Sequence, residues 1–193
     1  MLRESTSGVT SALPRLDGPA SDKSWYAAYT VANHEKRVAE QLSLRKVGHF
    51  LPLYSSVRRW KDRHVQLQLP LFPGYVFVQI ALRDRLQVLE APGVARLVGF
   101  AGSPTALPES EIEALKAGLE GGMHAVPHPY LKVGRRVRII AGPLAGLTGI
   151  LLRRQGKSRV AISIDLIQRS IVVDASAADV EPLPMKLTKI QRD

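Results

Sequence analysis

The seven residues from Trp25 to Val31 are aromatic, small or β-branched, and they predict a first strand. Asn33 then offers a helix cap. From His34 to Val47 the apolar Val38, Leu42 and Leu44 recur among Lys36, Arg37, Glu40, Arg45 and Lys46, which suits an amphipathic helix with one face on a sheet. Gly48 ends that helix and Phe50 to Tyr54 returns to extended chain. Two alternating arms, Ser55 to Trp60 and His64 to Leu69, flank Lys61-Asp62-Arg63 and read as a hairpin, with Val65, Leu67 and Leu69 on one face.

Pro70-Leu71-Phe72-Pro73-Gly74 interrupts the alternation before Tyr75 to Ile80, a strong strand with Tyr75/Phe77 on one side and Val76/Val78/Ile80 on the other. A short helix near Asp84 to Glu90 stops at Pro92-Gly93, and Arg96 to Phe100 reads as another strand. Ile112, Leu115 and Leu119 then recur at helical intervals between Glu109 and Leu119. Strands mixed with helices that do not alternate regularly indicate an α+β domain with an antiparallel sheet.

Past Gly121 the pattern changes. The stretch to Tyr130 has Gly-Gly, two prolines, two histidines and no formal charge, the composition of a linker. Val133, Val137, Ile139, Ile150, Leu152, Val160, Ile162, Ile164, Ile171 and Val173 follow in short runs punctuated by Gly142-Pro143, Gly146, Gly149 and Gly156-Lys157, with no helix between them. That pattern means an all-β second domain, a small bent barrel. The expected organisation is a flexible leader over 1–23, an α+β domain over 24–121, a linker over 122–130, a β domain over 131–183 and a basic tail over 184–193.

Composition narrows the function classes. The 193 residues are 45% hydrophobic and 23% charged, the profile of a folded protein. No cysteine is present, which removes disulfides, zinc ribbons and thiol nucleophiles and makes a reducing cytoplasm the expected compartment. The leader lacks the apolar core of a signal peptide, and no run approaches the ~18–20 apolar residues that cross a bilayer.

The net charge of +10 is spread along the chain. Residues 25–121 hold twelve basic against nine acidic side chains, a net of +3, and residues 130–183 hold nine against four, a net of +5. A spread surplus fits phosphate contact along an extended surface better than one deep anion pocket, although basic charge also serves solubility alone.

Catalytic chemistry finds no residue set. Gly156-Lys157-Ser158 resembles the end of a phosphate-binding loop, but the glycine that must stand before it across four intervening residues is replaced by Leu151. His34, His49, His64, His124 and His128 have no metal-ligand spacing, and Glu109, Glu111 and Glu113 read as the acidic first turn of a helix. The expectation is therefore a protein that is not an enzyme, with no cofactor and no metal. Recognition surfaces remain. The turn Leu71-Phe72-Pro73-Gly74-Tyr75 is rich in large apolar groups stiffened by proline; by physics alone it is equally an anchor for a protein partner or a buried turn that closes the core. Around the hairpin tip, Arg58, Arg59, Lys61 and Arg63 with Trp60 and Tyr54 favour nucleic-acid contact over a merely solvated loop.

Trp25-Tyr26, Glu35-Lys36, Leu71 to Tyr75, Gly93-Val94 and the later Gly142-Pro143-Leu144-Ala145-Gly146 turn, in this order, resemble the NusG family, and more closely its specialised paralogues of the RfaH, LoaP and UpxY type, over about residues 24–183. The resemblance implies an N-terminal NGN domain of α+β type and a C-terminal SH3-like KOW barrel, in a monomeric transcription elongation or antitermination factor. It implies that Tyr26, Leu71, Phe72 and Tyr75 meet the clamp helices of the RNA polymerase largest subunit. It also implies that Arg58, Arg59, Lys61, Arg63 and His64 face nucleic acid or the opposite polymerase lobe, and Lys36 with Arg37 face upstream or non-template DNA. Gly142, Pro143, Gly146 and Gly149 match the KOW turn. Leu166, Ile167 and Arg169 fall where relatives contact Rho or a ribosomal small-subunit protein, though Ile167-Gln168 replaces the Phe-Gly pair usual in general members. The β-branched Val160, Ile162, Ile164, Ile171, Val172 and Val173 favour a barrel over the helical hairpin of RfaH. The alternative is a ribosome-associated or RNA-binding module, against which the apolar turn is the discriminator. On the leading reading, Phe72→Ala should weaken polymerase binding and leave the fold intact.

Overall fold

A computed structural model describes residues 22–60, 63–131, 134–154 and 157–183. The expected leader up to residue 21, the tail 184–193, Lys61 and Asp62 of the hairpin tip, Val133 and Gly156 lie outside these residues. In chain order the elements are β1 (Ser24–Thr30), α1 (Glu35–Leu44), β2 (Gly48–Phe50), β3 (Leu53–Trp60), β4 (Arg63–Pro70), β5 (Tyr75–Ile80), α2 (Leu86–Leu89), β6 (Val94–Leu97), β7 (Gly99–Phe100), β8 (Ser103–Pro104) and α3 (Glu109–Glu120). These are followed by β9 (Ala125–His128), β10 (Arg136–Ile139), β11 (Thr148–Arg154), β12 (Lys157–Ile164), β13 (Arg169–Asp174) and β14 (Val180–Pro182), with a 3-10 turn over Asp165–Ile167. Strands dominate and the α-helices are few.

β2, β5, β1 and β6 form an antiparallel sheet in that order. Alternation divides its faces as the sequence pattern requires. Tyr26 and Ala28 pair with Val78 and Val76, and this side packs on Val38 and Leu42 of α1 and Val88 of α2. Trp25, Ala27, Tyr75 and Phe77 point to the other side, where Ile112 and Leu115 of α3 cover them. β3 and β4 pair from Leu53↔Pro70 to Trp60↔Arg63 as a separate two-stranded arm, so the hairpin forms where alternation placed it.

Some local details differ from the sequence pattern. Asn33 does not cap α1; its φ is +62°, and His34 occupies the cap position without a side-chain hydrogen bond. The short polar side chain of Asn33 serves a left-handed turn instead. The expected strand over Arg96 to Phe100 is split into β6 and β7 at Val98, whose N–H still donates to Ala27 O of β1 at 2.8 Å.

The second half of the chain forms a six-stranded antiparallel sheet ordered β14-β10-β11-β12-β13-β9. No α-helix occurs among its described residues, in keeping with its β-branched content. The stretch expected as a linker contributes β9, in which Ala125 to His128 pair with Val173 to Ser170. Proline was the misleading signal. Pro127 sits on the edge strand, where its missing N–H costs no ladder bond.

Candidate functional site

The apolar turn begins where Leu71 donates its N–H to Pro52 O at 2.9 Å, and it closes where Tyr75 donates to Phe72 O at 3.1 Å. Gly74 adopts φ +87°, a backbone shape that favours glycine, and its carbonyl accepts Thr30 N–H at 2.8 Å. Together these bonds aim Phe72 edge-on at Phe77, with ring centroids 5.5 Å apart, and set Tyr75 beside Tyr29 at 5.4 Å.

Of the two readings left open for this turn, burial is what the structure has. Phe72 is 1% exposed and Tyr75 9% exposed, and both join one continuous apolar cluster with Val160, Ile162, Ile164 and Ile171 of the six-stranded sheet. Tyr26 does not belong to this group. It lies across the four-stranded sheet, in the core under α1, because adjacent residues of a strand point to opposite faces.

The other candidate protein-binding segment reaches the turn at Arg169. Ile167 is 3% exposed within the same cluster and Leu166 packs against it, while the Arg169 guanidinium carbon lies 5.7 Å from the Tyr75 ring centroid. Two segments expected to serve different partners therefore share one apolar cluster and meet at the Arg169–Tyr75 pair. Gln168, between them, takes φ +49° and turns the chain back into β13.

Charge is unevenly placed at this junction. Glu111 of α3 and Asp165 face a cavity of about 140 Å³ with Leu115, Leu147, Thr148, Ile162, Ser163 and Ile164. Burial, and secondarily the Asp165 carboxylate, raise the Glu111 carboxyl above the ordinary value. Tyr130 donates its hydroxyl to Asp165 Oδ1 at 2.9 Å, and that bond raises the phenol. Nearby, Lys116 pairs with Glu113 at 2.7 Å and lies 4.2 Å from the Trp25 ring centroid. The Trp25 indole N–H is buried without a hydrogen-bond partner among the described residues.

Gly142 and Gly146 have φ of +78° and +92°, and Gly146 donates its N–H to Ile139 O at 2.8 Å. Pro143 lies inside this turn, and Leu144 beside it is buried in the shared cluster. A methyl group at Gly118 of α3 would stand 3.0 Å from Leu144 Cδ2, so this glycine admits the turn. Gly149 has a different constraint. A methyl there would come within 2.5 Å of Ala161 O and Val160 Cγ1.

The basic residues sit away from the apolar junction. Arg59, Arg63 and His64 are exposed on the two-stranded arm; Arg58 is placed there by its pairing with Val65, and Lys61 lies outside the described residues. Lys36 and Arg37 are exposed on α1. Sequence reasoning missed Glu35 and Tyr29, both central to the turn's geometry. For Glu35 the available signal was a carboxylate at the start of an amphipathic helix, which reads as solvated dipole compensation. Among the described residues no three His, Asp or Glu side chains converge, and no helix is long and apolar enough to cross a membrane.

Comparison with known proteins bears on this arrangement. The family profile described as "Transcription termination factor nusG" matches residues 23–116, which hold the four-stranded sheet, the arm and most of α3. A solved structure, "Domain interaction in Thermotoga maritima NusG", aligns with a TM-score of 0.51 and 23% identity over 84% of this chain and 98% of that one, a likeness of fold. The transcription termination/antitermination protein NusG of Vibrio vulnificus is 28% identical over 85% of this chain and 98% of its own length. Its namesake from Deinococcus radiodurans is 30% identical over 72% of this chain and 90% of its own length. With the turn, both sheets and the glycine-rich loop spanned by relatives over nearly their full lengths, the chain belongs to the NusG family.

Proposed function

We propose that this chain is a transcription elongation and antitermination factor that joins RNA polymerase through residues 24–121, an NGN domain, and recruits a further partner through residues 131–183, an SH3-like KOW barrel. The observation that carries the reading is the stiff Leu71 to Tyr75 turn, which gathers Phe72, Tyr75 and Phe77 on one sheet face. Large, ordered aromatic groups lose little entropy on binding and dominate protein interfaces. The target is the clamp helices of the polymerase largest subunit. Because Arg169 lies against Tyr75 and Ile167 is buried in the same cluster, polymerase and the KOW partner, Rho or a ribosomal small-subunit protein, both require the junction to open. On this reading the protein works as a monomer in the cytoplasm, without catalysis of its own.

The basic arm and the α1 cations supply the nucleic-acid contact, to upstream or non-template DNA. The test is co-purification of core RNA polymerase with the tagged full-length chain, followed by a salt titration. Polymerase retention that weakens between low and high salt supports the reading, as cation–phosphate contacts release counterions. Ribosomes in place of polymerase would overturn it.

A further inference from the structure

Glu35 is a buried carboxylate to which the function above gives no task. It is 5% exposed at the first position of α1, and no cation pairs with it among the described residues. Its Oε1 accepts the Gly74 N–H at 2.7 Å, across 39 positions of sequence. The charge-assisted bond and the positive end of α1 compensate its burial.

We propose that Glu35 is a positioning residue for the polymerase-binding turn, fixing the Gly74 peptide so that Phe72 and Tyr75 are presented in one arrangement. The inference rests on the polymerase-binding reading of that turn. Four hydrogen bonds hold its backbone: Leu71 N–H to Pro52 O, Tyr75 N–H to Phe72 O, Thr30 N–H to Gly74 O, and Gly74 N–H to Glu35. Three are backbone to backbone and survive almost any substitution. Glu35 alone among these partners acts through a side chain, so its identity decides whether the Gly74 peptide is held from both sides. The position matters because Gly74 packs on Tyr29: a methyl on it would stand 3.3 Å from Tyr29 Cε2. A peptide free to rotate there disturbs the Tyr29–Tyr75 pair, 5.4 Å between centroids, and with it the anchor face. Preorganisation of this kind raises affinity without adding a contact.

The experiment compares Glu35→Ala, Glu35→Gln and Val38→Ala in the full-length chain carrying Arg169→Glu. That background removes the guanidinium from Tyr75, so every variant is compared against a parent with the same weakened junction. With purified core polymerase as the probe, Glu35→Ala should weaken binding about tenfold, the scale of one charge-assisted hydrogen bond. Glu35→Gln keeps an acceptor and should stay within about twofold of the parent. Val38→Ala weakens the packing of α1 and lowers the melting temperature, yet leaves affinity unchanged. Exchange of the Gly74 amide hydrogen should accelerate in Glu35→Ala and not in Glu35→Gln. Unchanged Gly74 exchange in Glu35→Ala, or equal loss of affinity in Glu35→Ala and Val38→Ala, would overturn the proposal. A parent and wild type that both fail to bind polymerase would instead sink the functional reading, while the exchange rates still decide whether Glu35 holds the turn.

Discussion

The guanidinium of Arg169 sits over the ring of Tyr75, 5.7 Å from its centroid, joining the two halves of the chain through a pair that is electrostatically favourable and easily broken. An exposed cation–π contact contributes about 0.5–1 kcal/mol. Arg169→Ala should therefore raise the population of the open junction two- to fivefold, on the order of that energy. Methyl NMR of Ile167 would report it as a shift toward the position seen in denaturant-weakened protein. An Ile167 signal identical to wild type would show that apolar contacts alone hold the junction.

The Glu111–Asp165 juxtaposition makes the junction sensitive to acid. Burial and the facing carboxylate raise Glu111 from its ordinary value of 4.5, so the closed form binds its proton more tightly than the open form. The stabilisation is fully present below the ordinary value and is lost as pH rises through the raised one. The charged group that faces Glu111 across the cavity is Asp165, which in turn accepts the Tyr130 hydroxyl. Glu111→Gln should tighten the junction at neutral pH and flatten its dependence between mildly acidic and neutral conditions. Subtracting the variant's melting profile from that of the wild type removes the general acid response and leaves this one group.

Phe72→Ala should destabilise the fold, where the sequence reading expected it to leave the fold intact. The ring is fully buried and stacked edge-on against Phe77, so truncation opens a cavity in the shared cluster. The cost should be about 3–5 kcal/mol, a large share of a typical domain's margin of about 5–15 kcal/mol. Thermal unfolding should show a fall of many degrees, and a melting point within error of wild type would mean that the cluster collapses to fill the space.

Gly149 of β11 and Gly142 of the turn before it should fail for different reasons. Gly149→Ala drives a methyl into backbone, 2.5 Å from Ala161 O, and should cost about 1–3 kcal/mol as overpacking. Gly142→Ala meets no atom within 4 Å, yet it forces φ +78° on an L-residue and should cost about 1–2 kcal/mol. Asparagine, which tolerates left-handed backbone, should recover part of the loss at Gly142 and none at Gly149. Melting temperatures of the four variants distinguish the cases.

Most of the secondary structure was legible because it follows period: alternation placed β5 and the β3–β4 arm, and the spacing of Val38 and Leu42 placed α1. The split at Val98 and the turn at Asn33 were not legible, since each depends on one hydrogen bond or one dihedral. At the site, the turn's composition identified the right segment but could not choose between exposure and burial. That choice depends on residues far along the chain, such as Arg169 over Tyr75, and a local pattern holds no record of such a partner. Tyr26 was assigned to the site through resemblance, while its alternation with Trp25 and Ala27 puts it on the opposite face. Glu35 escaped because a carboxylate early in a helix has an ordinary solvated explanation.

The pairing of Ala125 to His128 with β13 has a geometric consequence. If β9 stays in its sheet, only Gly121 to His124 connect it to the end of α3, four residues that span at most about 14 Å. The two halves of the chain then move on a short leash. Their local concentration stays in the range where a displaced junction re-forms almost at once, so a partner must hold it open rather than merely open it. A longer reach is available only by peeling β9 from the edge of its sheet, which would make that strand the protein's spare length of tether.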